Sequence, residues 1–393
     1  IFSFLFIFSI FFNNISPIKE FNYFKVSEII FIILIFCYFL FDYQNLIKNF
    51  SRIDLLFLLW PLLNIIEYII NKNTLIGVLG STYVFLIYYI FKNIFKELDT
   101  KKIIYFLIIS LIITSFFSIL GWFLSQLQIE FRLAEYKEGW PIYIFERYRS
   151  HAFMPTPNML FFYLSFGFLI LQNFKFNHKK KILLFIFFGI FFTFSKSLVI
   201  LIPLIILPYI IKMKLSFIKK CYFLFFIVII VLFNILINFI VIPKTFNAFE
   251  GYNNSQYLEK NSKPLYSNNN LKIYKSNYAQ LKIKGSQIIE KNYLWGVGYE
   301  NFKSYNLDGL QNIKGYKPHS SLIGLIAENG FFSIIIFIFI ILNLLRPNID
   351  KKNYFFISAI SFILLESINM DIHYFKILWI FFPLFLKNNI MKI

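Results

Sequence analysis

Apolar residues in this chain run in long continuous blocks, and the polar residues gather in the stretches between them. Blocks approaching the roughly 20 residues that cross a hydrocarbon layer predict membrane helices. A membrane barrel would show short alternating segments instead. About twelve spans are predicted: Ile1–Phe12, Val26–Phe41, Leu55–Ile70, Leu75–Phe91, Ile103–Leu124, Phe153–Leu171, Ile182–Phe194, Leu198–Ile211, Tyr222–Ile242, Leu322–Leu345, Tyr354–Ile368 and Tyr374–Leu386. Several are short for a full crossing, so tilted or partial spans are expected among them. The expected fold is an all-α polytopic bundle with one long external loop. It divides into an N-terminal bundle (1–242), a loop region (243–321) and C-terminal spans (322–393). In the loop, Asn247–Asn270 reads as irregular. Leu271–Glu290 reads as helix, with Ile273, Leu281, Ile288 and Ile289 as its apolar contacts.

Composition agrees with the pattern. Of 393 residues, 58% are hydrophobic and only 15% charged, against about 25% charged in soluble domains. The formal charge of +19 suggests nucleic acid, but its placement excludes that partner. The basic residues sit in short loops between spans: Lys92, Lys96, Lys101 and Lys102; Lys175 and Lys179–Lys181; Lys212, Lys214, Lys219 and Lys220; Arg346, Lys351 and Lys352. Under the twelve-span scheme all four groups fall on one face, which the positive-inside rule assigns to the cytoplasm, with both termini inside. Cys37 and Cys221 lie in or beside spans, with no metal-ligand spacing and no expected disulfide. Ile1–Phe12 lacks the basic start and small-residue cleavage site of a signal peptide. Because the chain begins with Ile rather than Met, its first span is expected to be clipped.

The opposite face receives Ser125–Ala152, Ser195–Ser197, the long loop Pro243–Pro318 and the turn Asn369–His373. Four polar clusters converge there. Glu146–Asn158 carries Arg147, Arg149 and His151 before a span, with Pro155 and Pro157 disfavouring regular helix. Paired arginines bind phosphate oxygens bidentately, though interfacial arginines also snorkel without any such role. Lys196 lies in a polar turn between two apolar runs, a costly place for a cation unless it has a partner or reaches water. Gly296-Val297-Gly298 lacks the strand and helix context of a dinucleotide site and reads as a tight turn that folds the loop back, with Asn301 and Phe302 behind it. His319 precedes Ser320 and Ser321 at the predicted start of a helix, where a neutral imidazole can take a proton from a hydroxyl. A lone histidine is more often a satisfied polar residue than a catalyst. Glu328, nine residues on, is expected deeper and not paired with it. Asp371 and His373 either line the same cavity or mark the water boundary, and the boundary is the favoured reading.

In this order the clusters resemble the O-antigen ligase and polymerase superfamily. That family shows an arginine, a Pro-Asn start of a span, a Ser-Arg hairpin, then a long external loop ending in Gly-x-Gly and an aromatic, then His-Asn and Glu-x-Gly. The matching residues are Arg149, Pro157-Asn158, Ser195-Lys196, Gly296 and Gly298 with Phe302, His319-Ser320 and Glu328-Asn329-Gly330, covering roughly Glu146 to Leu345. Lys196 stands where the family usually has Arg, which keeps the charge but not the planar fork. Ser320 replaces the common Asn. In place of an upstream arginine the chain reads KSNYAQLK, with Lys275 or Lys282 as the substitute.

The resemblance implies a glycosyltransferase of the bacterial inner membrane, active on its periplasmic face, that moves a glycan from undecaprenyl diphosphate to an acceptor hydroxyl with inversion. The acceptor would be lipid A-core in a ligase and another lipid-linked glycan in a polymerase. His319 would activate the acceptor. Arg147, Arg149, Lys196 and Lys282 would hold the diphosphate, with Asn158, Gly296, Gly298 and Glu328 in support. With no Asp-x-Asp motif or acidic cluster on that face, neither metal nor cofactor is expected. Glu67 and Glu366, inside predicted spans, keep a transporter as the rival from another class.

Overall fold

The computed structural model describes residues 1–13, 15, 25–71, 75–97, 100–129, 133–137, 147–213, 216–243, 264–268, 271–305 and 315–387. Helices α1 (Phe2–Ser9, continued by a 3-10 turn at Ile10–Phe12), α2 (Val26–Lys48), α3 (Arg52–Asn71), α4 (Ile76–Glu97) and α5 (Thr100–Gln126) lead to the antiparallel strands β1 (Ala134–Lys137) and β2 (Arg147–Ser150). Then come α6 (Pro157–Leu171), α7 (Lys179–Phe191), α8 (Leu198–Lys212) and α9 (Ser216–Asn238), followed by β3 (Phe239–Pro243), β4 (Tyr266–Ser267) and β5 (Leu271–Lys275). The chain ends in α10 (Asn277–Lys291), α11 (Asn301–Ser304), α12 (Ser321–Asn329), α13 (Phe331–Asp350), α14 (Tyr354–Ser367) and α15 (Lys376–Leu386).

Every predicted span contains helix, but the number of crossings does not follow. Among the described residues five helices, α3, α4, α5, α9 and α13, are long and apolar enough to cross a membrane. α6 and α15 are buried almost throughout and form the centre, whereas α9 exposes Phe217, Leu224, Phe225 and Ile227. A helix apolar all round is buried in its bundle, and one that exposes its apolar side faces lipid. Around the centre, α4 packs on α3 and α15, α5 on α7, and α14 on α6 and α8.

Three expectations need correction. The fold is mostly helical rather than all-α, since β1 pairs with β2 and β5 pairs with both β3 and β4. Leu271–Lys275 is strand, not the first part of a helix, and α9 stops at Asn238 so that its last predicted residues become β3. In the remaining helical part, Leu281 and Ile288 are buried as expected. The predicted span Leu322–Leu345 is broken at Gly330 into α12 and α13. Gly330 has φ 78° and ψ −179°, and a Cβ there would meet the Leu294 carbonyl oxygen at 2.0 Å, so only glycine fits. Pro157 also begins a helix rather than disrupting one. It occupies the first position of α6, where its missing N–H costs nothing, after Thr156, whose hydroxyl accepts from Met159 N. Glu146, Lys214 and most of Asn247–Asn270 lie outside the described residues. Both cysteines are free.

The basic loops meet at one end of the bundle. Lys92 bonds Asn49 and Ser51, and Lys387 bonds Phe95 and Thr100. Ring contacts Phe174–Phe356, Phe356–Phe385 and Tyr209–Phe355 join the ends of α6, α8 and α15 to the start of α14. The four polar clusters meet at the other end.

Candidate active site

Arg149 is set by the β1–β2 pair. It lies opposite Glu135 in the register and is buried. Ser150 N donates to Phe192 O, which docks the pair on the turn after α7. From there Arg149 Nε reaches the Thr193 carbonyl (3.1 Å), and one terminal nitrogen reaches Asn158 Oδ1 (2.8 Å). Glu135 approaches only to 3.9 Å, an ion pair rather than a hydrogen bond. A guanidinium carries five N–H donors, so among the described residues donors remain for an incoming anion. The same turn brings Ser195, whose hydroxyl lies 3.4 Å from Asn158 Oδ1. Ser197 donates to Glu366 Oε2 at 3.1 Å.

Arg149, Asn158, Ser195, Lys196, Tyr278 and Asn369 line one small cavity of about 40 Å³. It holds a few waters at most, a foothold for a phosphate oxygen rather than a chamber for a whole lipid diphosphate. Lys282, one turn along α10 from Tyr278, joins the rim by donating to Asn369 Oδ1 (3.0 Å). Burial lowers the pKa of Lys282, and burial outweighs Glu135 in lowering that of Arg149. Both cations are therefore short of negative charge, and an anion would relieve them. Lys275 is exposed on β5 and stays outside this group. Arg147 pairs with Lys137 in the strand register, and its side chain lies outside the described residues.

His319 adjoins this cavity through Tyr278. Their rings meet edge-on at 5.4 Å, while the Tyr278 hydroxyl bonds Asn158. His319 adopts φ 52° just before Ser320, the residue that caps α12 by accepting from Ile323 N. Asp371 fixes that conformation. Its two carboxylate oxygens accept from His319 N (2.9 Å) and Ser320 N (3.1 Å). Burial raises the Asp371 pKa, and His319 pulls it back down. Beside it, His373 Nδ1 lies 3.1 Å from Ser321 Oγ, and burial pushes this imidazole down to about 3, so it is neutral.

The Gly-x-Gly turn docks on the far end of α12. Val297 N donates to Ala327 O (2.9 Å) and Gly298 N to Glu328 O (2.8 Å), so the turn satisfies carbonyls that the helix end leaves open. Phe302 anchors it by packing with Leu281, Ile288 and Ala327. The Glu328 side chain is buried beneath. Burial and then the Asp371 charge raise it to about 8. Glu328 and His319 both feel the charge of Asp371.

The structure therefore brings together Arg149, Asn158, Lys196 and Lys282, and places His319 next to them. Gly296, Gly298 and Glu328 form a supporting layer under α12. Sequence reasoning passed over Tyr278 and Asn369 and favoured the water boundary for Asp371, which instead is buried against the start of α12. The signals were slight: Tyr278 sits in the KSNYAQLK stretch searched for a missing cation, and Asn369 and Asp371 sit in a turn already placed on the right face.

Residues 182–338 match the family model described as O-antigen ligase. Over this stretch the chain is similar to O-antigen ligases. The O-antigen ligase match takes in Lys196, Lys282, the Gly-x-Gly turn, His319 and Glu328, whereas Arg149, Asn158, Asn369 and Asp371 lie outside it. No curated protein matches the chain, and no solved structure does. Bundle and O-antigen ligase match together describe an O-antigen ligase- or polymerase-like membrane enzyme.

Proposed function

We propose that this chain transfers a glycan from undecaprenyl diphosphate to an acceptor hydroxyl at the periplasmic face of the bacterial inner membrane, as a ligase acting on lipid A-core. The observation that carries the reading is the convergence of Arg149, Lys196 and Lys282 on one cavity rim, with His319 adjoining across Tyr278. The leaving group is a lipid diphosphate whose charge grows as the glycosidic bond breaks. Fixed cations at that point stabilise the transition state more than the ground state. Arg149, already braced by Asn158 and Thr193, offers its remaining donors without reorganisation. Asn158 serves as a brace and Tyr278 as a spacer between the anion and the base. His319, its backbone clamped by Asp371, removes the acceptor proton as the hydroxyl attacks the anomeric carbon opposite the departing diphosphate, which inverts that carbon. Arg147 is assigned to the same anion by its place two residues from Arg149 on β2. Gly296, Gly298 and Glu328 hold α12, and with it His319, in place.

A polymerase would use the same donor chemistry and differ only in acceptor. A transporter finds less support: Glu67 accepts from Asn329 and Glu366 from Ser197, which ties both carboxylates to the site-bearing end rather than to a path across the bundle.

The test is complementation of a glycan-deficient strain with His319→Ala and Arg149→Ala, at matched protein levels. Each is expected to lower surface glycan about a hundredfold, the scale of losing a general base or a preorganised charge. Full glycan from both variants would reject the assignment. On a glycan gel, loss of all attached repeats marks a ligase, and survival of a single repeat marks a polymerase.

A further inference from the structure

The end of the bundle opposite the site holds a second and larger cavity, of about 400 Å³. Lys92, Lys96, Arg346 and Lys387 ring it, and Pro347 of α13 and Pro383 of α15 form part of its wall. No acidic side chain lines it among the described residues. One of the four cations is already neutralised. Lys92 pairs with Asp54, a buried carboxylate that also accepts from Tyr88 (2.8 Å) and from Ser51 N and Oγ (2.6 and 2.7 Å). The other three are not. Lys96 donates to the neutral Asn49 side chain (3.0 Å), and Lys387 to the Phe95 carbonyl (2.7 Å) and Thr100 (2.9 Å). Arg346 is exposed, with no ion pair among the described residues.

Cations at helix ends commonly complement the dipole and nothing more, and Lys387 does so for α4. That role needs no cavity. Here three cations without counter-charge among the described residues surround one, and Ile53, Phe95 and Leu386 make the rest of its wall apolar. A free inorganic anion would use only the charged rim. A phosphate ester carrying an acyl chain would use the rim and the wall together, the fit expected of a basic pocket between helices at a cytoplasmic leaflet. We propose that this cavity binds the phosphate headgroup of an anionic phospholipid. The proposal is independent of the transfer reading, since the two sites occupy opposite ends of the bundle.

The test is native mass spectrometry of the full chain in detergent, titrated with phosphatidylglycerol or phosphatidylcholine. Wild type is expected to bind phosphatidylglycerol roughly tenfold to thirtyfold tighter, the effect of two cations beside a headgroup. The double variant Lys96→Gln/Arg346→Gln is expected to bring the ratio near one. Arg346→Gln alone, at an exposed residue whose loss spares packing, should remove part of it. Lys180→Gln/Lys181→Gln, at the same end but outside the cavity, is expected to keep the preference. Equal binding of the two lipids by wild type overturns the proposal, as does a preference that survives the double variant or falls equally in the Lys180/Lys181 control. Displacement of phosphatidylglycerol by millimolar inorganic phosphate would mark a free-anion site and overturn it too.

Discussion

Asp371 holds the backbone of the histidine, and burial raises its pKa while the histidine's charge draws it back down. It accepts the two amides that α12 leaves open at its start. Glu328, at the other end of the same helix, is the more sensitive residue to pH. Raised to about 8, it is protonated in the native state at neutral pH. A carboxyl raised on folding contributes stability that is complete below its ordinary value of 4.5 and lost as pH rises through 8. His373, pushed down from 6.5 to about 3, acts in the opposite sense below 6.5. At pH 6.5–8 Glu328 titrates clear of His373. There the unfolding midpoint in detergent is expected to fall with pH in wild type, Glu328 contributing at most roughly 1.4 kcal/mol per unit. Glu328→Gln, neutral and nearly isosteric, should make that slope shallower. An unchanged slope would mean that another group titrates. The sequence revealed the charged members of the site because a cation or an imidazole stands out in an apolar chain. Tyr278 and Asn369 did not stand out, because tyrosine and asparagine are common here, and Asp371 reads as a boundary marker because a carboxylate that caps a helix far away in sequence leaves no local spacing.

At the scale of elements, the Gly-x-Gly turn acts as a wedge between α10 and α12. Gly296 has φ +66°, and a Cβ on it would sit 2.4 Å from the carbonyl carbon and oxygen of Glu328, which belong to backbone and cannot swing aside. Gly296→Ala is expected to lose at least about 1–2 kcal/mol from the left-handed backbone alone, before the clash is relieved by shifting α12. The prediction is a lower unfolding midpoint together with weaker glycan transfer, because His319 rides on the same helix. A wild-type midpoint would show that the turn does not bear on α12. The helices were legible as apolar blocks, whose length hydropathy reports directly. The strands were not. LKIYK satisfies an alternating and a helical pattern equally over so few residues, and its strand character comes from β3 and β4, which flank it from elsewhere in the chain. The break at Gly330 was hidden for a related reason, since one glycine between two apolar runs leaves the average hydropathy intact.

At the scale of the molecule, the four basic loops and the candidate site occupy opposite ends, as the loop charges predicted; which end faces the cytoplasm follows only from the charge rule. In a background lacking Cys37 and Cys221, Ser304→Cys and Lys180→Cys place exposed thiols at the two ends. A membrane-impermeant maleimide applied to spheroplasts is expected to label the first and to reach the second only after permeabilisation. The reverse pattern would put the cavity of Arg149 and Lys196 on the cytoplasmic side and remove its access to a periplasmic donor.

The cavity takes Arg149 and Asn158 from before the matched stretch and Asn369 from after it. Residues 182–338 excised as a unit would carry His319 without the braced guanidinium of Arg149 and without Asp371, the carboxylate that seats it. A chimera that grafts this region onto another scaffold inherits half a catalyst, unless the host supplies both flanks in matching register.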